Sequence, residues 1–301
     1  MTLTTPPDAA PPTAPHPDAT AGPDVAAPGS TPDATPGTAP DGRPVAAAAT
    51  RTWTEPEGLT PRGTVVVLVG RGETPEVYER LGRRLAADAY RVLAVDEGRG
   101  TRATVEALLA DADLPSPRVL LGSDAGALTA VTVARSARPG PDALVLAGLP
   151  TRDEAEPSPF GGTWEREVEA RTACPNHRAV LGRAARSSLA GSLLATAATG
   201  LLSPSRAARA DLDLPVLAVH GAADAISPVV DAVPVYRALG ALEVVVVEDG
   251  LHDVLNDVQH RTVAATVVLF LERLRLRRAQ GRPADEVPAP LTRDALRGSA
   301  A

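Results

Sequence analysis

The sequence predicts an α/β fold, in which a mostly parallel, doubly wound sheet carries a small helical cap insertion. Short apolar runs alternate with segments whose apolar residues recur at helical spacing. This alternation is typical of strands that helices cover on both faces. An Ala- and Arg-rich stretch at residues 151–212 breaks the alternation and is assigned to the cap. The chain has 301 residues, 44% of them hydrophobic, which suffices for one domain with a large core.

Each element follows from its own pattern. Short apolar runs, most of them rich in β-branched residues, predict strands at Thr64–Val69, Arg91–Val95, Arg118–Gly122, Ala143–Gly148, Pro215–His220 and Glu243–Glu248. Helical spacing predicts helices at Pro75–Ala87, Thr104–Ala110, Ala125–Ala137, Val230–Leu239 and Thr262–Arg275, and a cap helix at Ala179–Ala198. Strands that alternate with helices in this order form a parallel sheet.

The two ends of the chain differ in composition from the middle. Residues 1–50 are almost wholly Pro, Ala, Thr, Asp and Gly, and residues 279–301 form a polar tail. Such segments bury too little apolar surface to offset their ordering entropy, so we expect a disordered arm before a folded domain at 51–278. The arm lacks the basic and apolar regions of a signal peptide, and no apolar run is long enough to span a membrane. The expected location is therefore cytoplasmic.

Charge and cysteine content exclude several classes of protein. The net charge is −7 with both signs spread along the chain, which argues against a nucleic-acid partner. Cys174 is the single cysteine, so no intramolecular disulfide can form, and we interpret this residue as structural. Neither a metal nor a cofactor is predicted.

A five-residue motif, Gly122-Ser123-Asp124-Ala125-Gly126, matches the pattern G-x-S-x-G except that aspartate holds the nucleophile position. This pattern forms a sharp turn between a strand and a helix and exposes its central side chain. Gly122 and Gly126 allow the close backbone approach that the turn requires. Asp124 is therefore the presented side chain, and Ser123 could replace it only if the turn were rebuilt by one residue.

Three candidate catalytic residues follow predicted strands. Asp124, Asp224 and His252 each come after a strand, and the carboxyl ends of parallel strands share one edge of the sheet. Their order along the chain, nucleophile then acid then histidine, is that of the α/β-hydrolases.

These motifs resemble the α/β-hydrolase superfamily, and within it the monoacylglycerol lipase and lysophospholipase group of the serine aminopeptidase S33 type. Val67–Asp96 resembles that group's HGxGE segment, and "HGAADAISP" and "GLHDVLND" resemble the segments that carry its acid and its histidine. The resemblance covers most of Gly58–Arg275 apart from the cap. The chain departs from it at Asp124, where the group has serine, and at Val69, where it has histidine.

The resemblance implies a cofactor-free hydrolase that acts on a small hydrophobic substrate. Asp124 would be the nucleophile, His252 the general base and Asp224 the acid that orients it. The backbone N–H groups of Arg71 and Ala125 would form the oxyanion hole. The candidate substrates are an acylglycerol- or lysophospholipid-like ester, a lactone or an epoxide.

Two alternatives stay open, namely a hydrolase whose substrate is an epoxide or an ester, and a binding protein without catalytic activity. A carboxylate can attack an alkyl carbon such as that of an epoxide, but the cap contains none of the tyrosines that usually protonate the epoxide oxygen. Esterase action meets another objection, because a fixed anion opposes the charge that an oxyanion hole stabilises. The other interpretation is therefore a catalytically inactive α/β-hydrolase-fold binding protein. The oligomeric state is not predicted.

Several neighbouring polar residues are interpreted as structural. We expect Glu73 to be an ion-pair or hydrogen-bond partner, and His220 to be structural at its strand end. Asp253 and Asp257 are expected to cap the helix that follows them. His177 and Arg178 are expected to be an exposed pair in the cap.

Overall fold

The computed structural model describes residues 46–151, 163–185 and 212–281. Its centre is a seven-stranded sheet in the order β1-β3-β2-β4-β5-β6-β7. The strands are β1 (Thr50–Trp53), β2 (Gly63–Leu68), β3 (Tyr90–Val95), β4 (Arg118–Ser123), β5 (Ala143–Ala147), β6 (Val216–Gly221) and β7 (Glu243–Val247). Only β1 runs antiparallel to its neighbour among these strands. The predicted fold class is confirmed.

Helices connect the parallel strands and lie over the sheet. They are α1 (Glu79–Ala87), α2 (Thr101–Ala110), α3 (Ala125–Ser136), α4 (Trp164–Arg171), α5 (Pro175–Ala184), α6 (Val229–Ala238) and α7 (His260–Ala279). A 3-10 turn at Pro75–Tyr78 precedes α1. Helices α4 and α5 fall between β5 and β6, where the cap was predicted.

The core divides into two apolar clusters, one on each face of the sheet. Strand β2 supplies both, because successive side chains of a strand point to opposite faces. Val65 and Val67 belong to the cluster under α1 and α7, whereas Val66 and Leu68 belong to the cluster under α3. All six residues of β2 are buried, as the unbroken apolar run predicts.

The predicted strands agree with the observed ones to within one residue at each end. Two elements were not predicted. Strand β1 has only four residues, of which Trp53 alone is buried, so it lacks the apolar run that marked the others. Helix α4 has the sequence WEREVEAR, in which most residues are charged, so its buried face shows no apolar repeat.

Parts of the predicted organisation lie outside the described residues. These are residues 1–45 of the predicted arm, residues 282–301 of the tail and most of the cap helix predicted at Ala179–Ala198. Strand β1 begins at Thr50, the last residue assigned to the arm. Among the described helices, none combines the length and the apolar character needed to cross a membrane.

Candidate active site

The turn between β4 and α3 holds Asp124 in a strained backbone conformation. Its φ is 50° and its ψ is −124°, which an L-residue rarely adopts. Such a conformation costs on the order of 1–3 kcal/mol and persists only where the surroundings enforce it. Here the Asp124 N–H donates to the carbonyl oxygen of Ala147 at 3.0 Å, and the Ala127 N–H donates to the Asp124 carbonyl oxygen at 2.9 Å.

The turn at residues 122–126 is called the elbow, and Gly122 and Gly126 lie where it meets other backbone. A Cβ on Gly122 would lie 2.4 Å from the Cα of Ala127. A Cβ on Gly126 would lie 2.1 Å from the carbonyl oxygen of Leu68. Neither distance is possible for a real side chain, so the turn requires glycine at both positions.

The Asp124 side chain is held by backbone at one of its two oxygens. Oδ2 accepts a hydrogen bond from the backbone N–H of Arg71 at 3.1 Å. The side chain makes no capping hydrogen bond to α3, although Asp124 occupies the N-cap position. Ala125 is the first residue of α3, where a backbone N–H has no partner within its own helix. Because the Asp124 carboxylate binds the Arg71 amide and does not cap α3, it points toward the loop of Arg71 and away from this helix.

His252 is anchored by Asp224. Its Nδ1 lies 2.8 Å from Oδ2 of Asp224, and both side chains are buried. The Asp224 Oδ1 accepts N–H bonds from Ile226 and Ser227, each at 2.9 Å, which fixes the carboxylate. His220 Nε2 also lies 3.2 Å from Asp224 Oδ2. Burial alone would raise the pKa of Asp224, but the two histidines outweigh it and hold the pKa well below its usual value.

The imidazole of His252 lies between two carboxylates. Its Nε2 is 3.4 Å from Oδ1 of Asp124. Burial alone would lower the pKa of His252, but the charges of Asp224 and Asp124 outweigh it and raise the pKa well above its usual value. Burial alone would raise the pKa of Asp124, but His252, Arg171 and Arg71 outweigh it and lower the pKa below its usual value. Both shifts favour the charged forms of the two groups, an imidazolium opposite a carboxylate.

A cap residue that the sequence analysis did not single out, Arg171 at the end of α4, completes the site. Its guanidinium is fully buried. Nη2 donates to the carbonyl oxygen of Arg71 at 3.0 Å and lies 3.5 Å from Oδ2 of Asp124. Nη1 lies 3.4 Å from Glu73 and 3.2 Å from Asp253, and Nε lies 3.2 Å from Glu167. One cation thus contacts four buried carboxylates.

Glu73 has the structural role that was expected. Its Oε2 accepts the backbone N–H of Gly70 at 3.0 Å and the hydroxyl of Tyr78. The Tyr78 oxygen also accepts the Gly70 N–H at 3.0 Å. Burial and the charge of Asp253 raise the pKa of Glu73 to about 7. These bonds fix the loop that carries the Arg71 amide.

Two expectations for neighbouring residues were wrong. His177 is 1% exposed and its Nε2 lies 3.1 Å from Asp253 Oδ2, whereas Arg178 is exposed as expected. Asp253 and Asp257 do not cap α7, whose N-cap is Gln259. Instead, Asp257 accepts the Leu251 N–H at 3.0 Å and the Thr172 hydroxyl at 2.8 Å. Both aspartates lie in the loop between β7 and α7 that carries His252, and they therefore bind this loop to the cap.

Glu73, His177 and Asp253 form the one group among the described residues whose ligand atoms, all within 4.8 Å of one another, could hold a metal ion. Arg171 Nη1 already contacts both carboxylates of this group. The His177 ring nitrogen is also bonded to Asp253. The positive charge that a metal would supply there comes from the guanidinium.

A cavity of about 450 Å³ lies beside the elbow, between β2, β3, α2 and α3. Leu68, Val69, Ala125 and Gly126 contribute to its mainly apolar lining. Asp124, Asp224 and His252 are not among its lining residues. This cavity therefore reaches the backbone beside Asp124 but does not include the three catalytic candidates.

Solved structures with the same architecture define the class of the fold, which is that of the α/β-hydrolases. A monoacylglycerol lipase from Paleococcus ferrophilus is 16% identical with a TM-score of 0.61, over 75% of this chain and 98% of that chain. A soluble variant of the Saccharomyces cerevisiae monoglyceride lipase is 14% identical with a TM-score of 0.57, over 74% and 91%. The enol-lactonase of Burkholderia xenovorans is 16% identical with a TM-score of 0.54, over 74% and 96%.

No known family model and no curated protein sequence matches the chain. At the identities of the solved structures, the similarity establishes the fold alone. The reaction must therefore be argued from the residues of the site.

Proposed function

We propose that this chain is a cofactor-free hydrolase in which Asp124 attacks an alkyl carbon of a small hydrophobic substrate, with an epoxide as the substrate class. One observation carries the proposal: the two oxygens of Asp124 have different surroundings. Oδ2 is bound by the Arg71 amide, and Oδ1 faces His252 Nε2. A carboxylate that forms an ester through Oδ1 would leave Oδ2 as the ester carbonyl oxygen, already seated on an oxyanion donor.

The first half-reaction uses the imidazolium as the acid. Oδ1 of Asp124 forms a bond to an epoxide carbon, the C–O bond of the ring breaks, and the ring oxygen takes the proton from His252 Nε2. The products are a neutral ester at Asp124 and a neutral imidazole. His252 thereby donates the proton that tyrosines usually supply, because the cap contains no tyrosine.

The second half-reaction uses the same imidazole as the base. Loss of the Asp124 charge removes one of the carboxylates that raise the pKa of His252, so the imidazole stays neutral. Its free Nε2 lone pair can then take a proton from water. The hydroxide attacks Cγ, and the negative charge develops on Oδ2 beside the Arg71 amide. Collapse breaks the Cγ–Oδ1 bond, and the departing alkoxide takes the proton from His252. The new carboxyl then returns a proton to His252, which restores the imidazolium and the carboxylate with the diol released.

Ester and lactone substrates are the second candidate, because lipases and a lactonase share the fold. Attack of Asp124 on an ester carbonyl would give a mixed anhydride. The Arg71 amide, however, already binds Oδ2 of Asp124 and would have to exchange it for the substrate oxygen. The same amide serves an epoxide reaction without exchange, so epoxide opening fits the geometry better.

A catalytically inactive binding protein is the remaining alternative, and one observation favours it. Asp124 and His252 are 3% and 1% exposed, and the Asp124 carboxylate is ion-paired to Arg171. A site that served only stability would show the same burial. Recovery of every tested substrate unchanged would support this alternative.

Turnover of a panel of aryl and alkyl epoxides in heavy-oxygen water separates these alternatives. Under the proposal, the peptide that contains Asp124 gains label over repeated turnovers, because Oδ1 leaves with each product. Asp124→Asn should abolish turnover, whereas the matched control Ser123→Ala should retain both turnover and labelling. Diol formation without label at Asp124 would show that water attacks the substrate directly and would refute the ester intermediate.

A further inference from the structure

We propose that Arg171 is a catalytic residue that supplies a charged oxyanion donor from the cap, an inference that rests on the proposed ester intermediate. Its Nη2 and the Arg71 amide converge on one atom, Oδ2 of Asp124, at 3.5 Å and 3.1 Å. The oxyanion hole predicted from the sequence consists of backbone N–H groups alone. Arg171 adds a full positive charge to the place where the negative charge develops.

The position of Arg171 is fixed before any substrate binds. Nη2 is bonded to the Arg71 carbonyl oxygen, Nε contacts Glu167 one helical turn away, and Nη1 contacts Glu73 and Asp253. The side chain is fully buried. Because the guanidinium is held at every nitrogen, it does not need to reorganise when charge appears on Oδ2, which is the condition for strong electrostatic stabilisation.

Arg171 also answers the electrostatic objection to an aspartate nucleophile. The buried carboxylates of Glu73, Glu167 and Asp253 surround the same guanidinium as Asp124. An oxyanion formed on Oδ2 among these anions would be opposed by them in a medium of low dielectric. A guanidinium in contact with Oδ2 compensates this field at the reacting atom.

The effect on the two half-reactions should differ. Ester formation removes negative charge from the carboxylate, and a cation beside Oδ2 does not favour that loss. Ester hydrolysis places a full negative charge on Oδ2, and the same cation stabilises it. Arg171 should therefore accelerate hydrolysis of the ester and give no acceleration to its formation. A residue that served only to hold the cap in place would affect both steps.

Single-turnover kinetics with styrene oxide test this difference, with the adduct at Asp124 followed by intact-protein mass. The variant is Arg171→Gln combined with Glu167→Gln, which removes one cation and one anion together. Glu167→Gln alone is the matched control, and thermal unfolding checks that each variant folds. We expect ester decay to slow by roughly 10²–10³-fold relative to the control, the usual loss for one oxyanion donor, so that the adduct accumulates. Ester formation should change by far less.

Arg171→Lys is the second variant, and it keeps the charge without the planar donor. We expect its ester to form at about the wild-type rate and to decay more slowly than in the wild type, so the comparison of these two rates with the wild type decides the question if the double variant does not fold. Equal slowing of formation and decay, or unchanged decay, would overturn the role of Arg171 while leaving the ester mechanism intact. A wild-type chain that forms neither adduct nor diol would refute the proposed function itself, and this inference with it.

Discussion

The Nε2 atom of His252 lies 3.4 Å from Oδ1 of Asp124, while Nδ1 of the same ring lies 2.8 Å from Asp224. The shorter distance is that of a formed hydrogen bond, and the longer one exceeds the usual range for N–H···O. Among the described residues, Nε2 has no hydrogen-bond partner of normal geometry. The ring is therefore anchored at one nitrogen, and its other nitrogen is the one from which the proposed mechanism takes a proton.

The charge of Asp124 should control the protonation of His252. Asp124→Asn removes one of the two carboxylates that raise the pKa of His252, so that pKa should fall. An NMR titration of the His252 ring carbons in the wild type and the variant measures the change. Asp224→Asn is the comparison, and it should lower the pKa as well. An unchanged pKa in Asp124→Asn would show that the two groups do not interact in solution.

Glu73 should make stability depend on pH. Its ordinary pKa of 4.5 is raised to about 7, so the folded chain binds this proton more tightly than the unfolded chain does. Its contribution to stability is therefore fully present below pH 4.5 and is lost as the pH rises through 7. The free energy of unfolding, measured with urea at a series of pH values, should fall less over this range in Glu73→Gln than in the wild type. Parallel curves for the two proteins would contradict the raised pKa.

The elbow should tolerate no side chain at Gly126. Gly126→Ala places a methyl group 2.1 Å from the Leu68 carbonyl oxygen, so backbone must move, and we expect a destabilisation of about 2–4 kcal/mol. Gly182→Ala in α5 is the matched control, because a Cβ there meets no atom within 4 Å. Alanine is the better helix former, so this control should gain up to about 1 kcal/mol. Equal melting temperatures for both variants would argue against the tight turn.

Asp253 should connect the cap to the core. It lies 3.2 Å from Arg171 of α4 and 3.1 Å from His177 of α5. Asp253→Asn removes the negative charge from a buried cluster, and breaking such a pair should destabilise the fold by about 3–5 kcal/mol. Glu106→Gln, which breaks the exposed pair with Arg102 at 2.8 Å, should change the unfolding midpoint far less. Similar losses in both variants would show that the buried cluster contributes no more than a surface pair.

The positions of the three catalytic candidates at the edge of the sheet could be predicted because they depend on local signals. Asp124, Asp224 and His252 each follow a strand, and parallel strands bring their carboxyl ends to one edge of the sheet. Distances of 2.8 Å and 3.4 Å now join these three residues. The catalytic roles assigned to them, and to the amides of Arg71 and Ala125, remain proposals that the experiments above address.

Arg171 could not be found in the same way. It lies four residues after Glu167 on α4, and such a pair ordinarily indicates a solvated helix face. Only burial distinguishes this pair from a surface one, and burial depends on how the cap packs against the core. His177 was misassigned as exposed for the same reason.

Apart from β1 and α4, the sequence by itself determined the order of the strands and helices, the two glycines of the elbow and the three residues that follow strands. Those features depend on periodicity and on turn chemistry, which act between near neighbours in the chain. The tertiary structure alone decided that Arg171 meets Asp124, 47 residues away, and Glu73, 98 residues away. Pairing between distant charges is set by packing that leaves no local mark, and it is this pairing that gives Asp124 its electrostatic environment.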